Sequence, residues 1–149
     1  MTFKRSHVIR IHFNKNFCYN KKVIAVCVSN KFSTGEEAYS LAILVREQLD
    51  AAQKNNSVKI FATDIDNEAL HFAGKGCYNE SIKKDISLER LEKFFTWDNN
   101  GYKIKPCIRE MLIFAHHDLA KNPPYCNMDF ISCRNLLIYI SPSLQKKIL

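Results

Sequence analysis

An α/β fold built on a mostly parallel sheet is what the patterning of this 149-residue chain predicts. Three observations carry that expectation. Residues 23–28, Val-Ile-Ala-Val-Cys-Val, form the continuous apolar run of a strand covered on both faces. A helical repeat of apolar residues starts within a few positions of its end. Strand-like runs then recur at 58–64, 111–115 and 129–133, separated by helical or irregular segments. Strands alternating with helices pack most simply as right-handed crossovers into one Rossmann-like parallel sheet.

The first strand has two candidates. Residues 8–13 alternate apolar and polar, but 23–28 is preferred because a helix follows it directly, which leaves 14–22 as a loop. In the first helix Ala38, Leu41, Ala42, Val45 and Leu49 fall at helical spacing, Glu36 and Glu37 occupy its first turn, and Thr34-x-x-Glu37 has the form of a capping box. After a loop at 55–57 comes the second strand. Asp66 suits the N-cap of a second helix over 67–73, which should stop near Gly74 and Gly76. The stretch 77–110 is irregular. Leu88, Leu91, Phe94 and Phe95 suggest a short amphipathic helix, and Asn99-Asn100-Gly101 a turn before Tyr102-Lys103-Ile104. Ser141-Pro142 reads as N-cap and N1 of a last helix running to Leu149.

Composition bounds the function. The chain is 46% hydrophobic and 25% charged, ordinary for a soluble globular domain, and holds no apolar run long enough to span a bilayer and no signal-peptide core. A cytoplasmic protein without membrane insertion is expected. Of the net charge of +7, +6 falls in residues 1–22, so a basic leader is expected at 1–22 and a single domain at 23–149. A basic end of this kind binds phosphates without sequence preference at most, so no specific nucleic-acid partner is expected. The six cysteines contain no C-x-x-C pair and read as reduced, buried thiols; no metal site is expected. His116 and His117, adjacent on a strand, point to opposite faces, so one should be packed and the other solvated.

Chemistry is expected where strands end, because open α/β sheets hold ligands at their carboxyl edge. Asp64 closes the second strand, where a carboxylate can accept hydrogen bonds from two vicinal ribose hydroxyls. Arg134 and Asn135 follow the fourth strand, and such groups at a sheet edge are costly unless paired.

Three strings, Ser33-Thr34-Gly35-Glu36-Glu37-Ala38-Tyr39-Ser40, Phe61-Ala62-Thr63-Asp64-Ile65-Asp66 and 128–140 (Met-Asp-Phe-Ile-Ser-Cys-Arg-Asn-Leu-Leu-Ile-Tyr-Ile), stand in one order and at plausible spacings. Together they resemble the catalytic domain of the CheR family of chemotaxis methyltransferases, which move a methyl group from S-adenosylmethionine (SAM) to receptor glutamates. The resemblance covers about residues 23–149. It implies a SAM-dependent methyltransferase core, truncated after the fourth strand and its helix, with SAM as cofactor. It further implies that Gly35, Glu36, Glu37, Asp64, Asp118, Leu119, Arg134 and Asn135 bind the cofactor and that Arg134 and Tyr139 act at the transferred methyl. Structural alternatives stay open: capping for Glu37, a strand-end turn for Asp118, core packing for Tyr139. Where the family has Gly-Cys this chain has Lys31-Phe32, and the family's preceding helical domain supplies an arginine to the acceptor. From both differences the chain is expected to be impaired or inactive alone. The implied partners are cytoplasmic segments of chemoreceptors or other signalling proteins. Two alternatives are a non-catalytic remnant or binding module whose sheet a partner chain completes, and a generic Rossmann nucleotide-binding domain. The second is disfavoured because the first loop lacks the spaced glycines of a dinucleotide fingerprint.

Overall fold

The computed structural model describes residues 22–28, 34–118, 121–123, 125, 126 and 128–133. Strands β1 (Lys22–Val28), β2 (Val58–Asp64), β6 (Leu112–His116) and β7 (Ser132–Cys133) form one sheet in the order β6-β2-β1-β7, with every pairing parallel. The sequence neighbours β1 and β2 lie side by side, β6 adds outside β2, and β7 returns to the other side of β1. The strand order therefore reverses beside β1, the kind of place where a doubly wound sheet opens a crevice at its carboxyl edge.

Helix α1 (Glu36–Ala51) covers the sheet. Ala38, Tyr39, Leu41, Ala42, Ile43, Val45 and Leu49 are buried, and they join Val58, Ile60 and Ala62 of β2 and Leu112 of β6 in the core. The helical repeat seen in the sequence is thus the core face, with Tyr39 and Ile43 added to it. The capping box does not form. Gly35, at φ +87°, is the N-cap and has no side chain to offer, while the Thr34 hydroxyl donates to the Glu36 carboxylate. Helix α2 (Asn67–Lys75) follows the expected logic: Asp66 accepts from the Glu68 and Ala69 N–H groups, and Gly76 closes the helix at φ +61°.

The stretch 77–110 is a second, antiparallel layer that the sequence reading did not anticipate. Strands β3 (Cys77–Tyr78), β4 (Phe95–Asp98) and β5 (Gly101–Ile104) form a three-stranded sheet ordered β3-β5-β4. A 3-10 turn (Glu80–Lys84), α3 (Leu88–Phe94) and the short α4 (Pro106–Arg109) fill the connections. The amphipathic helix and the turn at 99–101 are where they were expected, and that turn is the hairpin joining β4 to β5. Strands this short lack room for a period-two signal, which is why the sheet escaped notice. Ile82, Leu91, Phe94, Phe95, Ile104 and Ile108 carry this layer into the same core.

Two expected strands shift. The third begins at Leu112, one residue late, because Met111 still belongs to the turn closing α4: its N–H donates to the Ile108 carbonyl. Among the described residues the fourth pairs at Ser132 and Cys133 and not earlier; Phe130 is half-buried against the core and Ile131 is exposed. Cys77, Cys107 and Cys126 are free, as expected, but exposed rather than buried, since each sits on an outward position of a short element or loop. The alternating run at 8–13, the basic leader and the last helix lie outside the described residues.

Candidate functional site

Register lines up the strand ends. Val28 pairs with Thr63 on one side and Cys133 on the other, and Thr63 pairs with Ala115. Four strands therefore stand level at Val28, Thr63, Ala115 and Cys133, which share one carboxyl edge. The residues one step on are Asp64 and His116, a registered pair, and, in sequence after Cys133, Arg134. Arg134, Asn135, Leu119 and Tyr139, with Lys31 and Phe32, lie outside the described residues.

Asp64 is the most distinctive group at this edge. It is 4% exposed. Its Oδ1 accepts from the Asp66 N–H at 3.0 Å, and its backbone carbonyl accepts from the His117 N–H at 3.0 Å. Its Oδ2 is buried and has no hydrogen-bond partner. Burial raises the carboxyl above its ordinary value of 3.8, while the backbone N–H groups of Asp66 and Ile65 partly oppose the rise. A buried carboxylate oxygen without a donor is costly, and a ligand that brings a hydroxyl there recovers the cost.

Gly35 places Glu36 and Glu37 in the first turn of α1, where the helix dipole favours acidic side chains. Both are half-buried. The left-handed Gly35 packs so closely on α2 that an added Cβ would stand 2.8 Å from the Ala73 Cβ. The Tyr39 hydroxyl donates to the Ala73 carbonyl at 2.8 Å, and burial pushes this phenol up to about 12. The Tyr78 hydroxyl donates to the Thr34 carbonyl at 3.0 Å. Tyr78 is also raised, mainly by burial and then by the Glu36 carboxylate.

At the end of β6 the two histidines divide as expected: His116 is exposed and His117 is 8% exposed, its ring on Tyr125 at 4.5 Å between centroids. Asp118 is half-buried and heads a turn, its carbonyl accepting from Lys121 and Asn122 N–H groups and its N–H donating to the Asn122 side chain. The strand-end turn left open by the sequence is therefore present. Two groups of this region were not singled out in the sequence, Thr63 and Tyr78. Thr63 has a buried, unpartnered hydroxyl, and Tyr78 reaches the turn at the head of α1 from another sheet. Neither carries a local signal, because only tertiary packing gives it its position.

SAM fits the described residues. A ribose hydroxyl would supply the donor that the buried Oδ2 of Asp64 lacks, and the acidic pair Glu36 and Glu37 would suit the ammonium of the methionine end. No cluster of three metal-ligating side chains occurs among the described residues.

A parallel sheet that reverses beside its first strand, with a left-handed glycine opening the first helix and an acidic residue ending the second strand, defines a Rossmann-like α/β core consistent with a SAM-dependent methyltransferase. The comparisons narrow this. The sequence profile of the CheR methyltransferase SAM-binding domain matches residues 11–149, and the chain belongs to that family. It is 34% identical over 137 residues to chemotaxis protein methyltransferase 1 of Vibrio cholerae, covering 87% of this chain and 48% of the relative. It is 35% identical over 124 residues to the chemotaxis protein methyltransferase of Salmonella typhimurium, covering 78% and 42%. A 104.1 kDa protein encoded in the hypE 3′ region of Rhodobacter capsulatus is 41% identical over 117 residues, covering 78% of this chain and 12% of that protein. The chain thus spans less than half the length of these curated relatives. SAM is the cofactor of the family. Among the described residues no helix is long and apolar enough to cross a membrane.

Proposed function

We propose that this chain is the SAM-holding part of a protein-glutamate O-methyltransferase that acts on the cytoplasmic segments of chemoreceptors or on related signalling proteins. The observation that carries the reading is the buried Asp64 carboxylate at the carboxyl edge, with one oxygen committed to the main chain and the other buried without a donor, which a ribose hydroxyl would supply. In the same reading Gly35, Glu36 and Glu37 hold the methionine end, Asp118 and Leu119 the adenine, and Arg134, Asn135 and Tyr139 the methyl and acceptor side. When bound, SAM supplies a methyl group activated by its sulfonium. The chain's part is to orient it and exclude water, since a glutamate acceptor is already ionised at neutral pH and needs alignment more than a base.

Alignment of the acceptor falls to parts that the longer relatives carry outside the shared region. An ångström-scale misplacement costs about 10²-fold, so transfer by the 149-residue chain alone is expected to be slow even with cofactor bound. Two measurements test the reading. Calorimetry with S-adenosylhomocysteine (SAH) should show binding by the chain and strong weakening in Asp64→Ala. Radiolabelled methyl transfer to receptor fragments should rise when a CheR helical domain is added in trans. Absence of SAH binding would discard the cofactor role; binding without any transfer in either arm would leave a non-catalytic binding module.

A further inference from the structure

We propose that Tyr78, on the small antiparallel sheet, is a positioning residue for the cofactor-binding turn at the head of α1. The inference rests on the reading of Gly35, Glu36 and Glu37 given above. Helix α1 begins without a side-chain cap, because its N-cap is a glycine in the left-handed region. Something other than a cap must therefore fix the turn. Within the helix, the Tyr39 N–H donates to the Gly35 carbonyl at 3.0 Å, which sets the first helical bond but not where the turn lies in the molecule. From α2, Ala73 limits the approach of Gly35 by contact, and its carbonyl accepts from the Tyr39 hydroxyl, which ties the first turn of α1 to α2 but does not reach Thr34, the residue ahead of the N-cap. The Tyr78 hydroxyl, donating to the Thr34 carbonyl at 3.0 Å across 44 residues of sequence, supplies the directional restraint.

Tyr78 is itself held firmly. It pairs with Tyr102 of β5, and Gly101 comes so close that an added Cβ would run into the Tyr78 carbonyl. Its ring meets Tyr39 edge-on at 6.0 Å and Phe95 at 6.5 Å, and the next residue, Asn79, caps the following turn through the Ser81 N–H. The hydroxyl thus projects from a firmly held backbone onto Thr34, the residue just ahead of the N-cap of α1. It also lies near the Glu36 carboxylate, the first acidic group of the turn. Loss of this bond lets the turn sample positions in which Glu36 and Glu37 miss the cofactor, and apparent affinity falls in proportion to the competent fraction.

The test is Tyr78→Phe, which keeps the ring and removes only the donor, with Tyr102→Phe as the control hydroxyl on the same sheet. Each is measured for SAH affinity, melting temperature and amide exchange. The expected result is about a five- to tenfold weaker SAH affinity for Tyr78→Phe, with faster exchange confined to residues 34–40, and little change for Tyr102→Phe. Affinity equal to the parent's, or the same loss in both variants, overturns the positioning role while leaving the cofactor reading intact. A parent chain that binds no SAH fails the cofactor reading, and the positioning role with it.

Discussion

Gly35 and Ala73 pack so tightly that a methyl group on Gly35 would stand 2.8 Å from the Ala73 Cβ, closer than real Cβ atoms approach. This contact seats the head of α1 on α2, and with φ at +87° the position is doubly restricted to glycine. Gly35→Ala is expected to cost about 2–4 kcal/mol, from left-handed strain plus overpacking, and to lower the melting temperature by roughly 10 °C. Gly74, one residue from Ala73, should respond oppositely. It has no positive φ, and its added Cβ would find only the Arg109 Nη2, at 3.8 Å. Gly74→Ala in this helix should stabilise by about 0.5–1 kcal/mol. Thermal melts of the two single variants decide both; equal effects would mean that the contact to Ala73 is not what restricts Gly35.

Gly101→Ala probes the second layer. A Cβ there would drive into the Tyr78 carbonyl, a backbone atom that cannot rotate away, so β3 must separate from β5. A loss of about 2–3 kcal/mol is expected. Because Tyr78 reaches Thr34, SAH affinity should fall as well. A melting temperature like the parent's would show that β3 yields without cost.

The main sheet was legible in the sequence because β1, β2 and β6 are long enough to show apolar runs and α1 is long enough to show a repeat. Asp64 was legible because it ends such a run, and Asp66 because N-caps follow local rules. The antiparallel layer was not. Cys77 and Tyr78 make a two-residue strand whose partners, Lys103 and Tyr102, are 26 and 24 positions away, and no short window of sequence holds both. The capping box failed for a related reason: the pattern Thr34-x-x-Glu37 is local, but Gly35 is held left-handed by its packing on Ala73, which is not. Tyr78 was missed as a neighbour of the site because the turn it grips lies 44 residues upstream.

Arg90 and Glu47 join α3 to α1 through two parallel hydrogen bonds, each 2.7 Å. The Glu47 carboxylate raises the guanidinium, as a paired cation requires. The pair is partly exposed, so solvent screens it, and its two-pronged geometry puts it at the upper end for surface pairs. A double-mutant cycle of Arg90→Ala and Glu47→Ala should give a coupling of about 0.5–1 kcal/mol that shrinks in 1 M salt. A coupling indistinguishable from zero at low salt would mean that the apolar contacts of Leu91 and Phe94 alone seat α3.

Asp64 makes the site sensitive to pH in a direction that can be worked out. Its carboxyl is raised above 3.8 in the folded chain, chiefly by burial, so the native state holds its proton to higher pH than the unfolded state does. Folded stability therefore falls as pH rises from near 3.8 through the raised value, and the cost of ionising Asp64 is fully present above it. Asp64→Asn should match the parent's stability in acid and exceed it at neutral pH. Cofactor binding runs the other way. The ionised carboxylate accepts ribose hydroxyls best, so SAH affinity should be greatest above the raised value and weaken as pH falls through it. In Asp64→Asn the affinity should be lower by about tenfold or more at neutral pH and lose that acid-side dependence, since hydrogen bonds to a charged acceptor are worth about 1.5–3 kcal/mol. Calorimetric titrations on both proteins, from as close to 3.8 as the folded chain tolerates up to about pH 8, provide the comparison. Parallel pH profiles for parent and variant would show that the open oxygen of Asp64 does not face the ligand, and would remove the observation on which the proposed function chiefly rests.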